Sequence, residues 1–87
     1  MEGQAHGLKI LPQYYEVVAN LQKRFEVRKN DRDFRDGDTL MLREWKDGKY
    51  TGRQIQAEIG YVLDGFDGLA DGYVAFSIHV IKIVEEN

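Results

Sequence analysis

Cysteine is absent from this chain, which excludes disulfide bonds and thiolate metal sites as sources of stability. The two histidines, His6 and His79, have no companion ligands at metal-binding spacing, so we predict neither a metal site nor a cofactor. No apolar run approaches the roughly 20 residues of a membrane span, and residues 1–7 lack the apolar segment and cleavage pattern of a signal peptide. These absences lead us to expect a cytoplasmic protein with no membrane contact.

The length and composition are those of one small globular domain. The chain has 87 residues, of which 43% are hydrophobic and 11% aromatic, and this content argues against disorder. A domain of this size buries only roughly 60–65% of the surface of its unfolded chain. We therefore expect residues 1–87 to form a single domain that depends on a small core for its stability.

Proline occurs once, and its position predicts the start of a helix. Pro12 follows a short apolar segment, residues 8–11, which we interpret as a first strand. Proline is well tolerated in the first turn of a helix, where its missing N–H forms no intrahelical hydrogen bond. Apolar residues then recur at the spacing of one stripe on a helix of about three turns. They are Tyr14, Val17, Val18 and Leu21.

The remainder of the chain has the period-two pattern of β-strands. Strands are predicted at residues 39–45, 54–63 and 73–84, with a hairpin turn at Asp47-Gly48 and a loop rich in glycine and aspartate at residues 64–72. The second of these strands directs five apolar side chains to one face: Ile55, Ala57, Ile59, Tyr61 and Leu63.

The predicted elements give a mainly β (α+β) fold class. With the first strand and a further one at residues 24–28, the chain has about five strands and one helix. A small sheet must protect its edges from pairing with other chains. We therefore expect a small β-barrel of about five strands with the helix packed across it.

Basic residues are concentrated in one segment, although the whole chain is acidic. Residues 23–35 hold six of the twelve Lys and Arg residues against three acidic ones, a net charge of +3, whereas the chain as a whole has a net charge of −3. The protein should therefore present one positive zone on an acidic body. A solvated strand and loop crossed by surface salt bridges explains the same pattern without a ligand.

The strand predicted at residues 24–28 is the most informative part of this zone. Phe25 and Val27 alternate with charged residues, so the apolar pair should project to one side and the charged set to the other. Glu26 and Arg28 are two residues apart and can reach one another on the same side. Together they form either a binding constellation for a phosphate or a base, or an ion pair that closes one end of the barrel.

Five short motifs stand out along the chain: His6-Gly7-Leu8-Lys9, the run K-x-x-E-x-R-x-N-D-R-D-F from Lys23, Gly37-Asp38-Thr39-Leu40, Tyr50-Thr51-Gly52-Arg53 and Gly72-Tyr73-Val74. In this order they resemble the ASCH superfamily, and more narrowly the small bacterial and phage proteins described as DUF3850, or ASCH/PUA-like. The resemblance covers nearly the whole chain, and the run from Lys23 to Leu40 is its most specific part.

The resemblance implies a PUA-like β-barrel with a cleft beside the helix and a role in binding RNA or a nucleotide-like ligand. We expect Lys23, Glu26 and Arg28 to line this cleft. With the neighbouring polar residues, the candidate binding set is Lys9, Lys23, Glu26, Arg28, Asn30, Asp31, Arg32 and Arg35. The alternative for Lys9 is an ordinary solvated lysine, and the alternative for the loop residues is turn capping.

Two further function classes stay open from the sequence. Some ASCH-fold bacterial enzymes hydrolyse the amide of N4-acetylcytidine and resemble this chain through a G-x-K-T-x-T-x-R segment, in which a lysine and a threonine serve catalysis. Lys23 matches the lysine, but Glu26 replaces the threonine and Leu21 replaces the glycine. We therefore predict binding rather than catalysis, with amide hydrolysis as the alternative. A protein-interaction domain from a mobile element is the third interpretation.

Overall fold

The computed structural model describes residues 3–85 and has one helix and five strands within that range. The helix, α1, spans Pro12–Ala19. The strands are β1 (Ala5–Ile10), β2 (Phe25–Lys29), β3 (Thr39–Lys46), β4 (Lys49–Leu63) and β5 (Tyr73–Glu85). The fold is therefore mainly β, with the number of strands and the single helix that the sequence predicts.

The five strands form one sheet in the order β1-β3-β4-β5-β2, curled into a half-barrel. β1 pairs with β3 in parallel, and the other neighbouring strands are antiparallel. β1 and β2 lie at opposite ends of this order, so each has one edge without a strand partner among residues 3–85.

The core fills the concave side of the sheet. Alternate residues of β3 and β4 point inward and are fully buried: Leu40, Leu42, Ile55, Ala57 and Ile59. The helix adds Tyr15 and Val18, which are also fully buried, and packs against β3 and β5. Burial of these side chains is the main source of stability, since the chain has no cysteine to cross-link it.

The helix begins at Pro12 as predicted, but its length and its buried face differ from the prediction. Leu21 has a left-handed backbone with φ 68°, so the helix ends after two turns rather than three. Tyr15 faces the core in place of Tyr14, which is 49% exposed, and Leu21 is 51% exposed. The predicted stripe is therefore wrong at both of its ends.

The hairpin turn between β3 and β4 is the one that the sequence predicts. Asp47 and Gly48 have φ values of 52° and 81°, and a two-residue turn with both central φ angles positive matches the right-handed twist of the flanking strands. The two residues therefore fix the register in which Lys46 lies opposite Lys49.

Further along β4, the prediction that Tyr61 faces the core is wrong. The register with β5 shifts between Ile59 and Val62, where one extra residue forms a bulge. The extra residue reverses the alternation, so Val62 packs against the core and Tyr61 is 63% exposed. Gly60 lies in this bulge, where an added Cβ would be 2.7 Å from the Ser77 hydroxyl oxygen.

No helix within residues 3–85 has the length and apolar character needed to cross a lipid bilayer.

Candidate functional site

A cavity lies between the unpaired edges of β1 and β2, next to the start of α1. We call it the seam cleft, because it occupies the gap where the half-barrel fails to close. Its volume is about 470 Å³. Nine residues line it: Lys9, Ile10, Leu11, Tyr14, Lys23, Phe25, Glu26, Val27 and Arg28. Four of the predicted site residues are therefore brought together here.

Side chains from the β2 side bridge the seam to the free edge of β1. The Nη2 of Arg28 donates a hydrogen bond to the Lys9 carbonyl oxygen at 3.0 Å, and the Nη1 of Arg32 donates to the Gly7 carbonyl oxygen at 2.7 Å. These bonds satisfy acceptors that an edge strand would otherwise expose to solvent. The two edges are thus joined by arginine side chains instead of by a strand ladder.

The charged side of β2 faces inward. Glu26 is only 5% exposed, whereas Phe25 and Val27 are 54% and 47% exposed. A half-buried strand usually buries its apolar side, but here the buried carboxylate is neutralised by two cations. Lys23 Nζ lies 2.9 Å from Oε2 of Glu26, and Arg28 Nε lies 3.3 Å from Oε1. The predicted contact between Glu26 and Arg28 is present, on the buried face.

The cations around Glu26 leave the cleft with a net positive charge, because two of them share one carboxylate. Each carboxylate oxygen accepts a hydrogen bond from one of these cations. Lys23 Nζ also donates to the Phe25 carbonyl oxygen at 2.8 Å. The arrangement is suited to holding an anionic or polar ligand.

The backbone of β2 adds polar groups to the cleft. The Arg24 carbonyl accepts the Ile78 N–H of β5, and peptide groups of successive residues in a strand point to opposite sides. Phe25 and Val27 therefore direct their N–H and C=O groups to the free edge, and the bond from Lys23 to Phe25 lies on that side. A planar ligand in the cleft can meet a donor and an acceptor from a single residue there.

The rim of the cleft is apolar and aromatic. Tyr14 and Phe25 are 49% and 54% exposed, and the Lys23 ammonium lies 5.8 Å and 5.0 Å from the centroids of their rings. Leu11, at 46% exposed, continues this surface. Exposed rings at the mouth of a cationic cleft are suited to stacking on a planar ligand. Sequence reasoning missed these rim residues because it assigned Tyr14 to the core.

The backbone and the side chain of Lys9 lie on two different surfaces. Its backbone carbonyl lies in the seam cleft, where it binds Arg28. Its side chain lies on the outer face of the sheet, with Nζ 4.0 Å from the centroid of the Trp45 ring. The ammonium that sequence reasoning assigned to the cleft therefore stacks on an aromatic ring of β3 instead.

The remaining candidate residues follow β2 and lie outside the lining of the cleft. Asn30 Oδ1 accepts the Phe34 N–H at 3.0 Å, which is a local turn cap. Arg32 lies 3.9 Å from Asp31 and also makes its bond to the β1 edge. These contacts stabilise the loop after β2 and connect it to the edge of β1.

Arg35 is paired with a neighbour in the same loop. Its Nη2 lies 2.8 Å from Oδ2 of Asp33, and both side chains are largely exposed. Hydrogen bonding to Asp33 raises the pKa of Arg35. Much of the positive charge of residues 23–35 is thus compensated by carboxylates within the same segment.

Comparison with known proteins assigns the chain to a family. The family model described as "Domain of unknown function (DUF3850)" matches residues 5–78. The chain belongs to this family. The match begins with β1 and ends within β5, so it includes all the residues that line the seam cleft.

One relative of this DUF3850 chain is an "Uncharacterized 12.9 kDa protein in GpA 3'region" of Escherichia phage P2. The two are 42% identical over 71 residues, which are 82% of this chain and 65% of the phage protein. The chain thus spans just under two thirds of the length of that relative.

A second buried carboxylate in this DUF3850 chain lies at the β3–β4 hairpin. Glu44 is 3% exposed and receives two hydrogen bonds from Arg53, Nε to Oε1 at 2.9 Å and Nη2 to Oε2 at 2.7 Å. The Thr51 hydroxyl donates to Oε1 at 2.7 Å. The hydrogen bonds from Arg53 outweigh the opposing effect of burial, so the pKa of Glu44 is lowered.

The Arg53 guanidinium links this hairpin to the helix and to β5. It also contacts Glu16 at 3.1 Å and Glu85 at 3.0 Å, and it lies 4.2 Å from the centroid of the Tyr15 ring. Burial, together with the nearby Glu85 carboxylate, raises the pKa of Tyr15. The alternation Leu40, Leu42, Glu44 is the sequence signal that points this glutamate inward.

A third buried polar pair joins β1 to Asp38, the residue before β3. His6 Nε2 lies 2.7 Å from Oδ2 of Asp38, and the His6 ring packs on Phe34 with centroids 4.8 Å apart. Burial alone would raise the pKa of Asp38, but hydrogen bonds from His6 and from the backbone N–H groups of Gln4 and Arg35 hold it below its usual value. The described residues, 3–85, contain no group of three His, Cys, Asp or Glu side chains placed to hold a metal ion.

Proposed function

We propose that this DUF3850 chain binds RNA, and that an unpaired nucleotide of the RNA occupies the seam cleft. One observation carries the proposal: two cations meet around the buried Glu26 directly beneath the exposed rings of Tyr14 and Phe25. Proteins that bind single-stranded RNA combine positive charge for the phosphates with aromatic surfaces for the bases.

The charge of the cleft favours an anionic ligand despite the acidity of the whole chain. Lys23 and Arg28 share one carboxylate, so one positive charge is left uncompensated at this site. Arg28 uses Nε and Nη2 in its contacts with Glu26 and Lys9. Its remaining donors can meet a phosphate or a base edge, which guanidinium groups recognise through paired hydrogen bonds.

The motifs that resemble the ASCH superfamily support the same function. We propose that the curled half-barrel is a PUA-like fold and that the chain acts on RNA in the cytoplasm. The element order supports this, because a helix that begins at Pro12 stands beside a cleft between strand edges. The free peptide groups of Phe25 and Val27 give the cleft the donor and acceptor that a base edge requires.

The presence of Glu26 in place of a threonine favours binding over amide hydrolysis. Its two oxygens are both held by cations, and it occupies the place of the catalytic threonine in the resembling enzymes. A glutamate at this place does not supply the hydroxyl that serves catalysis in those enzymes. Incubation of the protein with N4-acetylcytidine tests this alternative, and product above the uncatalysed rate would establish it.

Titration of short fluorescent RNAs at two salt concentrations tests the proposal. We expect single strands to bind more tightly than duplexes of the same length, and affinity to fall as salt rises, because phosphate contacts release counterions. Phe25→Ala should weaken binding by about 5- to 150-fold, the effect of losing one stacked base. Tyr61→Ala is the matched control, since Tyr61 is an exposed aromatic residue of the same sheet that does not line the cleft.

The charged residues are tested in parallel. Lys23→Ala should weaken binding and reduce the salt dependence by about one released ion, whereas Lys82→Ala removes the same charge at an exposed position of β5 that does not line the cleft. Binding of single-stranded RNA that is equal in Phe25→Ala, Lys23→Ala and the two controls would contradict the proposal. A protein partner captured after nuclease treatment, with no RNA affinity at low salt, would favour a protein-interaction domain.

A further inference from the structure

Two cations and two aromatic rings form a cluster on the outer side of the sheet at the β3–β4 hairpin. Lys9 Nζ lies 4.0 Å from the Trp45 ring centroid, the Trp45 and Tyr50 centroids are 4.9 Å apart at 82°, and Arg43 Cζ lies 3.7 Å from the Tyr50 centroid. We call these four residues the hairpin face. Strand pairing brings the four residues together, because Lys9 on β1 lies opposite Arg43 on β3, and Trp45 on β3 lies opposite Tyr50 on β4.

The two cations of the hairpin face, Lys9 and Arg43, differ from those of the basic zone in their ion pairing among residues 3–85. Within the part of the chain that the structure describes, neither Lys9 nor Arg43 takes part in a salt bridge. The basic zone at residues 23–35 differs, because several of its cations are paired with Glu26, Asp31 or Asp33. The hairpin face therefore offers positive charge that an anionic partner can use.

A small cavity opens beside Arg43 and Tyr50. Its volume is about 260 Å³, and Gly52, Arg53 and Gln54 complete its lining. Gly52 has no side chain to fill this space, and its φ of 98° is a conformation that favours glycine. One side of the Arg43 guanidinium covers the Tyr50 ring, and its other side can stack on a second planar group. The cavity is of a size for one base rather than for a folded partner.

Lys9 connects this surface to the seam cleft. Its carbonyl binds Arg28 inside the cleft, while its ammonium belongs to the hairpin face. Arg43 on β3 is one strand away from Lys9, and Tyr50 on β4 is two strands away, which correspond to roughly 5 Å and 10 Å across the sheet. A single-stranded nucleic acid that leaves the cleft at Lys9 therefore needs several nucleotides to contact Arg43 and Tyr50 as well.

We propose that the hairpin face is a second contact surface for single-stranded RNA, on which one base stacks on the Arg43 guanidinium, which the Tyr50 ring supports, while phosphates contact Lys9. The proposal rests on the proposed function, because it extends the path of an RNA strand already held in the seam cleft. With this second surface, the protein would bind several consecutive nucleotides instead of a single nucleotide.

An RNA length series separates the two surfaces. A dinucleotide should engage the cleft alone, whereas an oligonucleotide of about twelve nucleotides should reach both surfaces. Tyr50→Ala should weaken binding of the longer RNA by about 5- to 150-fold and leave dinucleotide binding unchanged. Tyr50→Phe keeps the ring and should bind like the original chain, which shows that the ring and not a loss of folding is responsible.

Charge on the hairpin face is tested by Lys9→Ala, which removes the ammonium assigned to the phosphates and should lower the salt dependence for the longer RNA by about one released ion. Lys29→Ala is the control, because Lys29 is an exposed cation opposite Tyr73 and does not line the cavity beside Arg43. Equal binding of the longer RNA by Tyr50→Ala and Tyr61→Ala, with weaker binding by Phe25→Ala, would overturn this inference and leave the proposed function standing.

Two other outcomes also overturn the inference. If Phe25→Ala binds RNA as well as Tyr61→Ala does, the proposed function fails and the inference fails with it. If size-exclusion chromatography shows a dimer that Tyr50→Ala dissociates, the hairpin face belongs to a contact between two copies of the chain.

Discussion

Arg28 donates a hydrogen bond from Nη2 to the carbonyl oxygen of Lys9 at 3.0 Å, across the gap between the two edge strands. The half-barrel is therefore held at its seam by a side chain, where a closed barrel would have a ladder of backbone bonds. A ligand that enters the seam next to Lys9 competes with this side-chain bond and not with the backbone hydrogen bonds of the sheet. The same residue both stabilises the fold and lines the site.

Replacement of Arg28 by lysine tests the role of this bond in stability. Lysine keeps the charge but loses the fork of donors that reaches Glu26 and Lys9 together. We expect a loss of about 0.5–1.5 kcal/mol in the free energy of unfolding, the net value of one such hydrogen bond, measured by urea denaturation. Arg35→Lys is the same chemical change in an exposed loop pair and should have no measurable effect. Equal stability of the two variants would contradict the role given to the seam.

The Glu44–Arg53 pair predicts a pH-dependent stability. The pKa of Glu44 is lowered in the folded protein from an ordinary value of 4.5, so its contribution is complete above about pH 4.5 and is lost as pH falls through the folded value. Glu44→Gln should lower the free energy of unfolding at pH 7 by about 2–3 kcal/mol. The difference between the variant and the original chain should shrink toward pH 3. A difference of constant size between pH 7 and pH 3 would show that Glu44 acts through packing alone.

The reversed orientation of β2 makes a prediction about its apolar residues. Phe25 is more than half exposed, whereas Ile59 is fully buried. Phe25→Ala should therefore change the free energy of unfolding by less than about 0.5 kcal/mol, and Ile59→Ala should lower it by about 2–5 kcal/mol. Chemical denaturation of both variants measures this directly. A cost above about 2 kcal/mol for Phe25→Ala would place that ring in the core and remove it from the rim of the cleft.

Leu21 predicts a stabilising substitution. It follows the end of α1 with a φ of 68°, a conformation that costs a side-chain-bearing residue about 1–2 kcal/mol and suits glycine. Because Leu21 is 51% exposed, little burial is lost on its removal. Leu21→Gly should raise the free energy of unfolding by about 0.5–1 kcal/mol after the greater flexibility of unfolded glycine is counted. A lower melting temperature than that of the original chain would refute this account of the helix end.

Local patterns were sufficient to predict much of the fold. The alternation Ile55, Ala57, Ile59 places three residues of β4 in the core, and Asp47-Gly48 identifies the hairpin turn, because both signals depend only on neighbouring residues. Prediction failed at Tyr61, where the bulge against β5 is set by a partner strand distant in sequence. The burial of Tyr15 in place of Tyr14 likewise depends on how the helix docks on the sheet.

The candidate site was predictable in its central pair but not in its surroundings. The side chains of residues i and i+2 in a strand project from the same face of the sheet. The contact between Glu26 and Arg28 therefore follows from their spacing in the sequence. Alternation alone does not predict which face of the strand is buried. In β2 the charged face is buried because Glu26 is paired with cations, whereas the apolar face is the one usually buried. The position of the Lys9 ammonium on Trp45 required the parallel pairing of β1 with β3, which no local pattern reveals.

The most direct test of the seam cleft as an RNA site is a nuclear magnetic resonance titration of the ¹⁵N-labelled protein with a short unpaired RNA. The backbone N–H groups of Phe25 and Val27 lie on the free edge of β2, and Lys9 lies on the facing edge of β1. We predict that the amide signals of these three residues shift together and saturate, while those of Tyr61 stay in place. Signals that do not move at millimolar RNA and low salt, or shifts centred on Tyr61 and residues 64–72, would contradict the account.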